Sequence, residues 1–407
     1  MNETDREILR RTALAYKSIS EECEFSKKVA LYKGVNDLKM IRPIVLIDEV
    51  PWHEMNFDGS LALECEDEYL KSVEQYMKRA IYQWKRFPCD MIVAPYIHVN
   101  KVINDSGYGM SISENTISQS DGNYIVSHEY FDQLASEDSV LKLKLPVISY
   151  DEKETLARFN RLNDLIGDII EIKIIGVNAH IDTWDTISML RGVTPLLMDL
   201  AMRPEHSHSI VSKFTDIHLE YIRQYEKLNL FEPNPLLVHC TAACTDDLKP
   251  TSEKVLAKDC WGRGTAQIFA QVSKDMHNEF DIEYMKKIMS KFGLVYYGCC
   301  EPLHNKIDIL EQFPNLRKIS ITPWADVDIA SSVIQKKYVL SAKPNPALLS
   351  STLDTGVLKA EIGKIMKACY DNDVSFEIVL KDISTVGGNP ENLFLWEKTV
   401  MDMIENY

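Results

Sequence analysis

Residues 292–306 of the chain read FGLVYYGCCEPLHNK. The apolar run Leu294–Tyr297 has a glycine on each side, which is the pattern of a buried strand. Two cysteines and Glu301 follow at once, and Pro302 suits the first turn of a helix beginning near Leu303. In parallel α/β proteins, ligands bind at the carboxyl ends of the strands. The segment therefore predicts a parallel α/β fold whose chemistry is centred on these thiols and the neighbouring acid.

The composition of the 407 residues argues against several classes of protein. Hydrophobic residues make up 45%, which is enough for two or three domains or for one long barrel. The net charge of −16 would repel a phosphate backbone, so we expect no nucleic-acid partner. The chain has no run of about 18 apolar residues, which predicts no membrane span. The charged start, MNETDREILRR, has no signal core and predicts a cytoplasmic protein, and nine cysteines without regular spacing predict reduced thiols.

Strand-like runs alternate with helical runs along most of the chain. This pattern predicts one α/β domain, a (β/α)8 TIM barrel over residues 41–407, preceded by an N-terminal helical extension over residues 1–40. A polar, glycine-dotted segment predicts a β-hairpin insertion at about residues 100–135. One strand-like run is in excess, either 236–240 or 265–272. The alternative is an open doubly wound sheet, which the absence of a Rossmann fingerprint and of a P-loop motif weakens.

The first predicted strand, residues 42–50, carries acids at its carboxyl end. Glu49 is followed by Trp52 and His53. An acid, an aromatic ring and an imidazole at a barrel mouth suit a cationic or amine-bearing substrate. Glu49 and His53 are therefore candidate catalytic residues, and Trp52 is a candidate pocket wall. The alternative is ordinary loop packing around a solvated acid.

The two adjacent thiols are candidate metal ligands. Neighbouring side chains on an extended strand point to opposite faces, so Cys299 and Cys300 can share a metal only where the backbone bends after the strand. Thiolates prefer zinc-type metals, and His239 at the end of the predicted strand 235–240 would supply a nitrogen ligand. Cys300 and Glu301 are also candidate catalytic residues. The alternative is one buried structural cysteine beside one reactive thiol, with His239 in the core.

Other strand ends carry further candidates. The candidate substrate-binding residues, besides Trp52, are His180, Trp184, Trp324, Lys343 and Asn345. The last two of these follow a late strand, where barrels commonly hold an anion. Asp382, after the last strand, is a candidate catalytic residue, although it could equally form a buried ion pair with Lys381. Ordinary core packing is the alternative for the tryptophans.

Five motifs follow one another from Trp261 onward: WGRGTAQIF, VSKDMHNEF, FGLVYYGCCEPLHNK, PNLRKISITPWADVD and SAKPNPALL. Their order resembles the uroporphyrinogen decarboxylase superfamily, and within it the methyltransferase-like branch of bacterial proteins. A weaker resemblance extends back to Arg42. The resemblance implies a single (β/α)8 barrel with a cleft at the carboxyl ends of the strands.

The resemblance implies two activities, and the chain departs from the pattern of each. The decarboxylase needs an arginine-rich loop after the first strand, where this chain has Asp48 and Glu49. The corrinoid-dependent coenzyme M methyltransferases hold zinc with a His-x-Cys pair and a later cysteine. Tyr297 stands where that histidine would be, and Lys381 and Asp382 stand in place of the later cysteine. A zinc site would therefore need a different set of ligands.

The leading prediction is a methyltransferase that moves a methyl group between a small substrate and a corrinoid (cobalamin) carried by a partner protein, with zinc as a candidate cofactor. One alternative is a lyase of the uroporphyrinogen decarboxylase type acting on a tetrapyrrole. Another is a non-enzymatic barrel that binds a corrinoid or small ligand. A homodimer is expected because closed twofold assemblies are the commonest.

Overall fold

The computed structural model of the protein describes residues 3–118, 126–250 and 252–407. The helices are α1 (Glu3–Glu22), α2 (Phe25–Asn36), α3 (Trp52–Met55), α4 (Glu68–Arg86), α5 (Glu137–Val140), α6 (Glu152–Ile166), α7 (Thr183–Arg191), α8 (Val193–Met202), α9 (Pro204–Lys227), α10 (Lys274–His277), α11 (Glu283–Met289), α12 (Ile307–Leu310), α13 (Val327–Ile334), α14 (Thr355–Asp371) and α15 (Glu391–Glu405). The strands are β1 (Ile44–Ile47), β2 (Tyr96–Asn100), β3 (Ile103–Asp105), β4 (Glu114–Ser118), β5 (Val126–Tyr130), β6 (Ile148–Tyr150), β7 (Glu171–Ile175), β8 (Ala179–Ile181), β9 (Leu237–Val238), β10 (Thr241–Ala242), β11 (Trp261–Gly264), β12 (Leu294–Tyr297), β13 (Leu316–Ile321), β14 (Val339–Ala342) and β15 (Ser375–Leu380).

A parallel sheet of seven strands forms the centre of the molecule, in the order β1-β15-β14-β13-β12-β11-β8. Every neighbouring pair in it is parallel. Strand β2 pairs in parallel with β7, in a separate two-stranded sheet. The mixed, largely parallel α/β architecture predicted from the sequence is confirmed. Within the residues that the structure describes, however, hydrogen bonding does not join β1 to β2, so the eight-stranded closed barrel is not formed as a continuous ladder.

Neither of the two runs predicted as the excess strand belongs to the parallel sheet. Residues 236–240 contribute β9, which turns back to pair antiparallel with β10. Residues 265–272 contain a short 3-10 helix, Gln267–Gln271, and the sheet strand is β11 just before it. A Cβ on Gly262 would lie 2.5 Å from the Phe292 ring, so Phe292 packs directly on the backbone of β11. This close packing allows the glycine-rich run to form a strand. That tertiary packing overrides the poor strand propensity of glycine.

The chain after β12 also differs from its prediction. No helix begins near Leu303; the backbone makes a turn there, and α12 starts at Ile307. Several helix starts do follow the capping rules, because Asp151 and Ser273 accept hydrogen bonds from the first turns of α6 and α10. Side-chain caps of this type are encoded locally, whereas the length of the turn after β12 depends on its packing.

The N-terminal segment is helical, and α1 packs on α4 and α6 around a separate apolar cluster that includes Leu9, Met77 and Leu162. Strands β4 and β5 pair antiparallel inside the segment predicted as a hairpin insertion. Residues 119–125, which lie between these two strands, are outside the described residues. No described helix is both long enough and apolar enough to cross a membrane.

The two faces of the central sheet differ in chemistry. One face packs Val295, Ile319 and other apolar residues against the outer helices, where Leu358 and Trp396 complete the core. The other face carries buried polar groups, including Lys318 and Glu377, whose charged atoms are 3.0 Å apart. A protein does not bury charges on a sheet without partners because desolvation is costly. The buried polar groups therefore indicate that a functional site lies on this inner face of the sheet.

Candidate functional site

The turn after β12 brings the first cysteine to the carboxyl edge of the sheet. Gly298 has a φ of +101°, a value that favours glycine. A Cβ there would also lie 2.5 Å from a methyl carbon of Leu303. The next residue, Cys299, is held to β13 because Ser320 Oγ donates a hydrogen bond of 3.0 Å to its carbonyl. Gly298 thus permits a sharp bend, and Ser320 fixes the residue that follows it.

The sulfur of Cys299 is surrounded by hydrogen-bonding groups from two other strand ends and from the residue that follows it. Lys381 Nζ donates to it at 3.3 Å, after β15. His239 Nε2 lies 3.9 Å away, in the turn between β9 and β10, and the sulfur of Cys300 lies 3.7 Å away. This arrangement directs an ammonium group, an imidazole and a second thiol towards one sulfur atom.

These contacts set the protonation of the site. The hydrogen bond with Cys300 is the main reason why the pKa of Cys299 falls to about 3, and His239, Lys381 and Arg263 lower it further against the opposing effect of burial. Partial desolvation would lower the pKa of His239, but hydrogen bonds with Cys240 and Cys299 raise it to about 9. The hydrogen bond to Cys299 raises the pKa of Cys300. At neutral pH, Cys299 is therefore a thiolate beside an imidazolium, and Cys300 keeps its proton.

Two carboxylates lie beside the second thiol. Cys300 Sγ donates to Asp382 Oδ2 at 3.3 Å, and Asp382 Oδ2 is 3.0 Å from Lys381 Nζ. The backbone N–H of Asp382 donates to Glu49 Oε2 at 3.0 Å. Burial raises the pKa of Glu49, and Asp382 raises it further. The structure thus brings Glu49 and Asp382, two candidates from distant parts of the sequence, to the same edge as the thiols.

Three of the nine described residues that have a side chain and a positive φ lie at this edge. Glu49, His239 and Asp382 have φ values of 51°, 54° and 56°, in the left-handed region. A left-handed conformation costs a residue with a side chain about 1 kcal/mol. Residues held in this way cluster at functional sites, where the surrounding structure maintains them.

Glu301 lies underneath the turn and is completely buried. One of its carboxylate oxygens accepts the backbone N–H of Cys299 at 2.9 Å, and the other accepts that of Ala266 at 3.2 Å. The Thr265 hydroxyl also donates to it. Burial raises the pKa of Glu301 above its ordinary value. The sequence predicted a catalytic Glu301, whereas the structure has its carboxylate bound to the backbone that presents Cys299, which is a positioning role.

Both cysteines line a cavity of about 290 Å³, which we call the thiol cleft. Its walls are formed by Cys299, Cys300, Thr322, Pro323, Trp324, Lys343, Pro344, Asn345, Pro346, Ala347, Lys381 and Asp382. Trp324 is 69% exposed at the rim, whereas Lys343 is 4% exposed in the wall. The Lys343 ammonium donates to Ser341 Oγ at 2.7 Å and, within the described residues, forms no ion pair with a carboxylate. Such a buried cation favours an anionic group in the cleft.

A second cation, Arg263, lies behind the thiolate. Its guanidinium group contacts His180 Nε2 and donates to the Gly298 carbonyl at 3.5 Å. Partial desolvation and the charge of Arg263 lower the pKa of His180 to about 4, so this imidazole is neutral and accepts the hydrogen bond. His180 therefore supports Arg263 beside the site and is not in the wall of the thiol cleft.

The other residues that the sequence predicted for the site do not all line the thiol cleft. Asn345 and Trp324 line the thiol cleft, as their strand-end positions suggested. Trp52 lines an adjoining groove that also includes Glu49 and Asp382. His53 faces away from this groove towards Glu54, at 3.5 Å. Trp184 is buried in another core, where its ring is tilted against Phe269 and its indole N–H donates to the Phe280 carbonyl, so the structure does not place it in a pocket wall.

Two contacts of the thiolate were not predicted from the sequence. The sequence suggested Lys381 as part of an anion site or as a partner of Asp382, and Arg263 was not singled out. Signals for both exist, because each is a cation inside an otherwise apolar or glycine-rich strand that should be buried on both faces. Lys381 contacts Cys299 across 82 residues of sequence, and Arg263 acts on it electrostatically across 36, so no local pattern encodes either approach.

The predicted zinc ligands do not form a metal site. In residues 3–118, 126–250 and 252–407, no group of three or more His, Cys, Asp or Glu side chains is arranged to hold a metal ion. The Lys381 ammonium lies against the Cys299 sulfur, where it supplies the positive charge that a metal would supply. His239 adds a second cationic neighbour. The residues present therefore do not fit a zinc ion on His239, Cys299 and Cys300.

Comparisons with known proteins give little further information. No protein-family model matches the chain, and no curated protein is detectably similar to it in sequence. Among solved structures, the fold is similar to that of a methyltransferase from Methanosarcina mazei, with a TM-score of 0.48 and 10% identity over 92% of this chain and 98% of that one. A likeness at this level supports no statement about function.

Proposed function

We propose that the chain is a methyltransferase in which the Cys299 thiolate takes up the methyl group. The observation that carries this proposal is the thiolate at the wall of the thiol cleft, with Lys381 Nζ at 3.3 Å and His239 Nε2 at 3.9 Å. A thiolate beside an imidazolium is the reactive form of cysteine. The motif order quoted above, which resembles the methyltransferase-like branch, supports methyl transfer as the chemistry.

The proposed reaction has two displacements. In the first, Cys299 Sγ attacks the methyl carbon of the donor, a sulfur–carbon bond forms, and the donor leaves with the electron pair of the broken bond. In the second, the acceptor attacks the methyl group of the Cys299 thioether, and the thiolate leaves with the electron pair. Lys381 and His239 stabilise the thiolate before the first step and after the second. No oxidant or reductant is consumed.

The proposed partners are a small substrate and a corrinoid carried by another protein. Lys343 lines the cleft and forms no ion pair with any carboxylate that the structure describes, which supports a small substrate that bears an anionic group. Trp324 is exposed at the rim, and exposed tryptophans provide much of the contact energy at protein interfaces. The carrier protein would dock against this rim.

The decarboxylase alternative has less support. Asp48 and Glu49, after β1, would repel the carboxylates of a tetrapyrrole. Arg263 is buried beneath the thiolate and already contacts His180, so it cannot act as a clamp at the mouth.

Uptake of a methyl group tests the proposal directly. The purified protein is incubated with methylcobalamin, and peptide mass mapping follows the gain of one methyl group. We expect the methyl group on Cys299, no uptake at that position in C299S, and unchanged uptake in C244S, which removes a half-buried thiol outside the cleft. Absence of methyl on Cys299, or equal labelling of C299S through Cys300, would overturn the assignment of the nucleophile.

A further inference from the structure

A second cavity, of about 340 Å³, lies where β1 and β2 are not paired, and we call it the tyrosine cavity. It exists because other groups bond to the free edge of β1. Asp90 exchanges hydrogen bonds with the backbone of Val45, and Gln83 Nε2 donates to the Ile47 carbonyl at 3.0 Å. Strand β2 can therefore stand away from β1 without leaving these groups unpaired. The volume falls within the range of about 300–1,000 Å³ that is typical of ligand sites.

Aromatic rings dominate one part of the wall. Tyr32, Tyr76 and Tyr96 line the cavity together with His98, whose ring centroid is 4.9 Å from that of Tyr76. Tyr76 is 37% exposed although it lies inside the fold, so its ring faces the cavity. The Tyr32 hydroxyl donates to the Asp90 carbonyl at 2.9 Å. Part of this wall therefore consists of aromatic rings, whose faces attract cations.

The charges in the wall are negative. Asp48 and Glu232 line the cavity, and its lining includes no lysine or arginine. Within the described part of the chain, neither carboxylate forms an ion pair. Lys101 lies within electrostatic range of Glu232, but its ammonium group donates to the Asn229 carbonyl. Burial lowers the pKa of His98, so this imidazole stays neutral at pH 7 and adds no positive charge.

We propose that the tyrosine cavity binds a small organic cation of the methylated-ammonium class. Such a cation presents diffuse positive charge and apolar methyl groups, which suit tyrosine faces and two carboxylates that lack a counter-ion. A bare ammonium or metal ion is a poorer match because it would lose its hydration to aromatic rings. The Lys173 ammonium group lies 4.2 Å from the centroid of the Tyr96 ring, so one of these rings already accepts a cation.

The position of the cavity connects it with the thiol cleft. Asp48 lines both the tyrosine cavity and the adjoining groove, and Asp382 lines both that groove and the thiol cleft. A cation bound here would therefore lie along the same edge of the sheet as Cys299. The binding site itself rests only on the residues of the tyrosine cavity and holds whether or not Cys299 accepts a methyl group.

Calorimetric titration with choline tests the proposal, with 3,3-dimethyl-1-butanol as a neutral molecule of the same shape. The C299S variant is used throughout, so that failure of methyl transfer cannot affect the result. We expect choline to bind at least about tenfold more tightly than the neutral molecule. Equal affinities would overturn the assignment of a cation site, and no binding of either molecule would overturn the site altogether.

Two substitutions at Tyr76 distinguish an effect of its ring on binding from an effect on folding. Tyr76→Phe keeps the ring, and we expect choline affinity to change less than about threefold. Tyr76→Leu keeps an apolar side chain but removes the ring, and we expect choline affinity to fall about tenfold. Glu232→Gln should weaken choline binding and leave that of the neutral molecule unchanged. If Tyr76→Leu binds choline as tightly as the parent protein does, the proposed role of the tyrosine rings in binding the cation is disproved.

Discussion

At the scale of the residue, the chemistry depends on what surrounds one sulfur atom. A thiolate with a low pKa is fully ionised at neutral pH, and it is also a good leaving group. Its intrinsic nucleophilicity is reduced for the same reason. A pKa near 3 for Cys299 therefore suits a residue that must both accept a group and release it. A cysteine that only had to attack would react best with a pKa near the ambient pH.

The first prediction concerns the alkylation of this residue by iodoacetamide. Because Cys299 stays a thiolate, its alkylation rate should be nearly constant from about pH 8 to about pH 5, whereas an ordinary thiol slows about tenfold per pH unit. Lys381→Met removes the ammonium group at 3.3 Å and should raise the pKa of Cys299 by about 1 to 3. Mass mapping of the Cys299 peptide over a pH series that extends down to about pH 3 measures both.

Lys343→Met is the matched control, because Lys343 lines the cleft without touching the sulfur. It should leave the alkylation profile unchanged. A profile for the parent protein that falls steeply below about pH 8 would contradict the thiolate assignment. A profile that Lys381→Met does not move would contradict the role of the ammonium group.

At the scale of the element, the turn between β12 and α12 carries the site. Strand β12 ends at Gly298, which bends the chain, and Glu301 then binds the backbone of Cys299 and Ala266. The carboxylate thus joins the ends of β11 and β12. This explains how two successive cysteines can both reach one cleft, since an extended strand would point them to opposite faces.

The second prediction distinguishes a positioning role from a catalytic role for Glu301. Glu301→Gln replaces one accepting oxygen with a donor, which must face a backbone N–H. We expect the free energy of unfolding to fall by about 1–3 kcal/mol, and the alkylation profile of Cys299 to change because Glu301 no longer holds its backbone N–H. Thr265→Val, which removes only the weaker hydroxyl contact of 3.2 Å, should have a smaller effect on both. Unchanged stability with lost methyl transfer would instead support a catalytic Glu301.

At the scale of the whole molecule, the free edge of β1 decides where space remains inside the fold. Asp90 is fully buried and bonds to Arg42, to Lys28 and to the Val45 N–H. Burial would raise the pKa of Asp90, but Arg42 and Lys28 lower it below its ordinary value. A carboxyl with a lowered pKa in the folded chain stabilises it above the unfolded pKa, and this contribution is lost as the pH falls through the folded pKa.

The third prediction follows from this ion pair. Asp90→Asn leaves Arg42 and Lys28 without their partner, so the free energy of unfolding at neutral pH should fall by about 3 kcal/mol. The difference between variant and parent should shrink in acid, where the parent also loses the carboxylate. Urea denaturation at neutral and acidic pH measures this. Asp246→Asn, which breaks the exposed pair with Lys33 at 2.8 Å, should change stability by less than about 0.5 kcal/mol.

The sequence by itself determined the parallel α/β class, the strands β12 and β15, several helix caps, and the thiols at a carboxyl edge. These features depend on local patterns: apolar runs, capping side chains and the residues that follow a strand. It also pointed to Asp382 and Asn345, because strand ends converge in such folds.

Only the tertiary structure decided the rest. The glycine-rich β11 is a strand because Phe292 packs on it, and 265–272 is not one. Lys381 and His239 meet Cys299 from distant strand ends, and Glu301 is a backbone anchor because its surroundings are dry. The physical reason is the same in each case. Packing and electrostatic contacts between residues far apart in sequence determine burial and charge, and these quantities decide what a given side chain does.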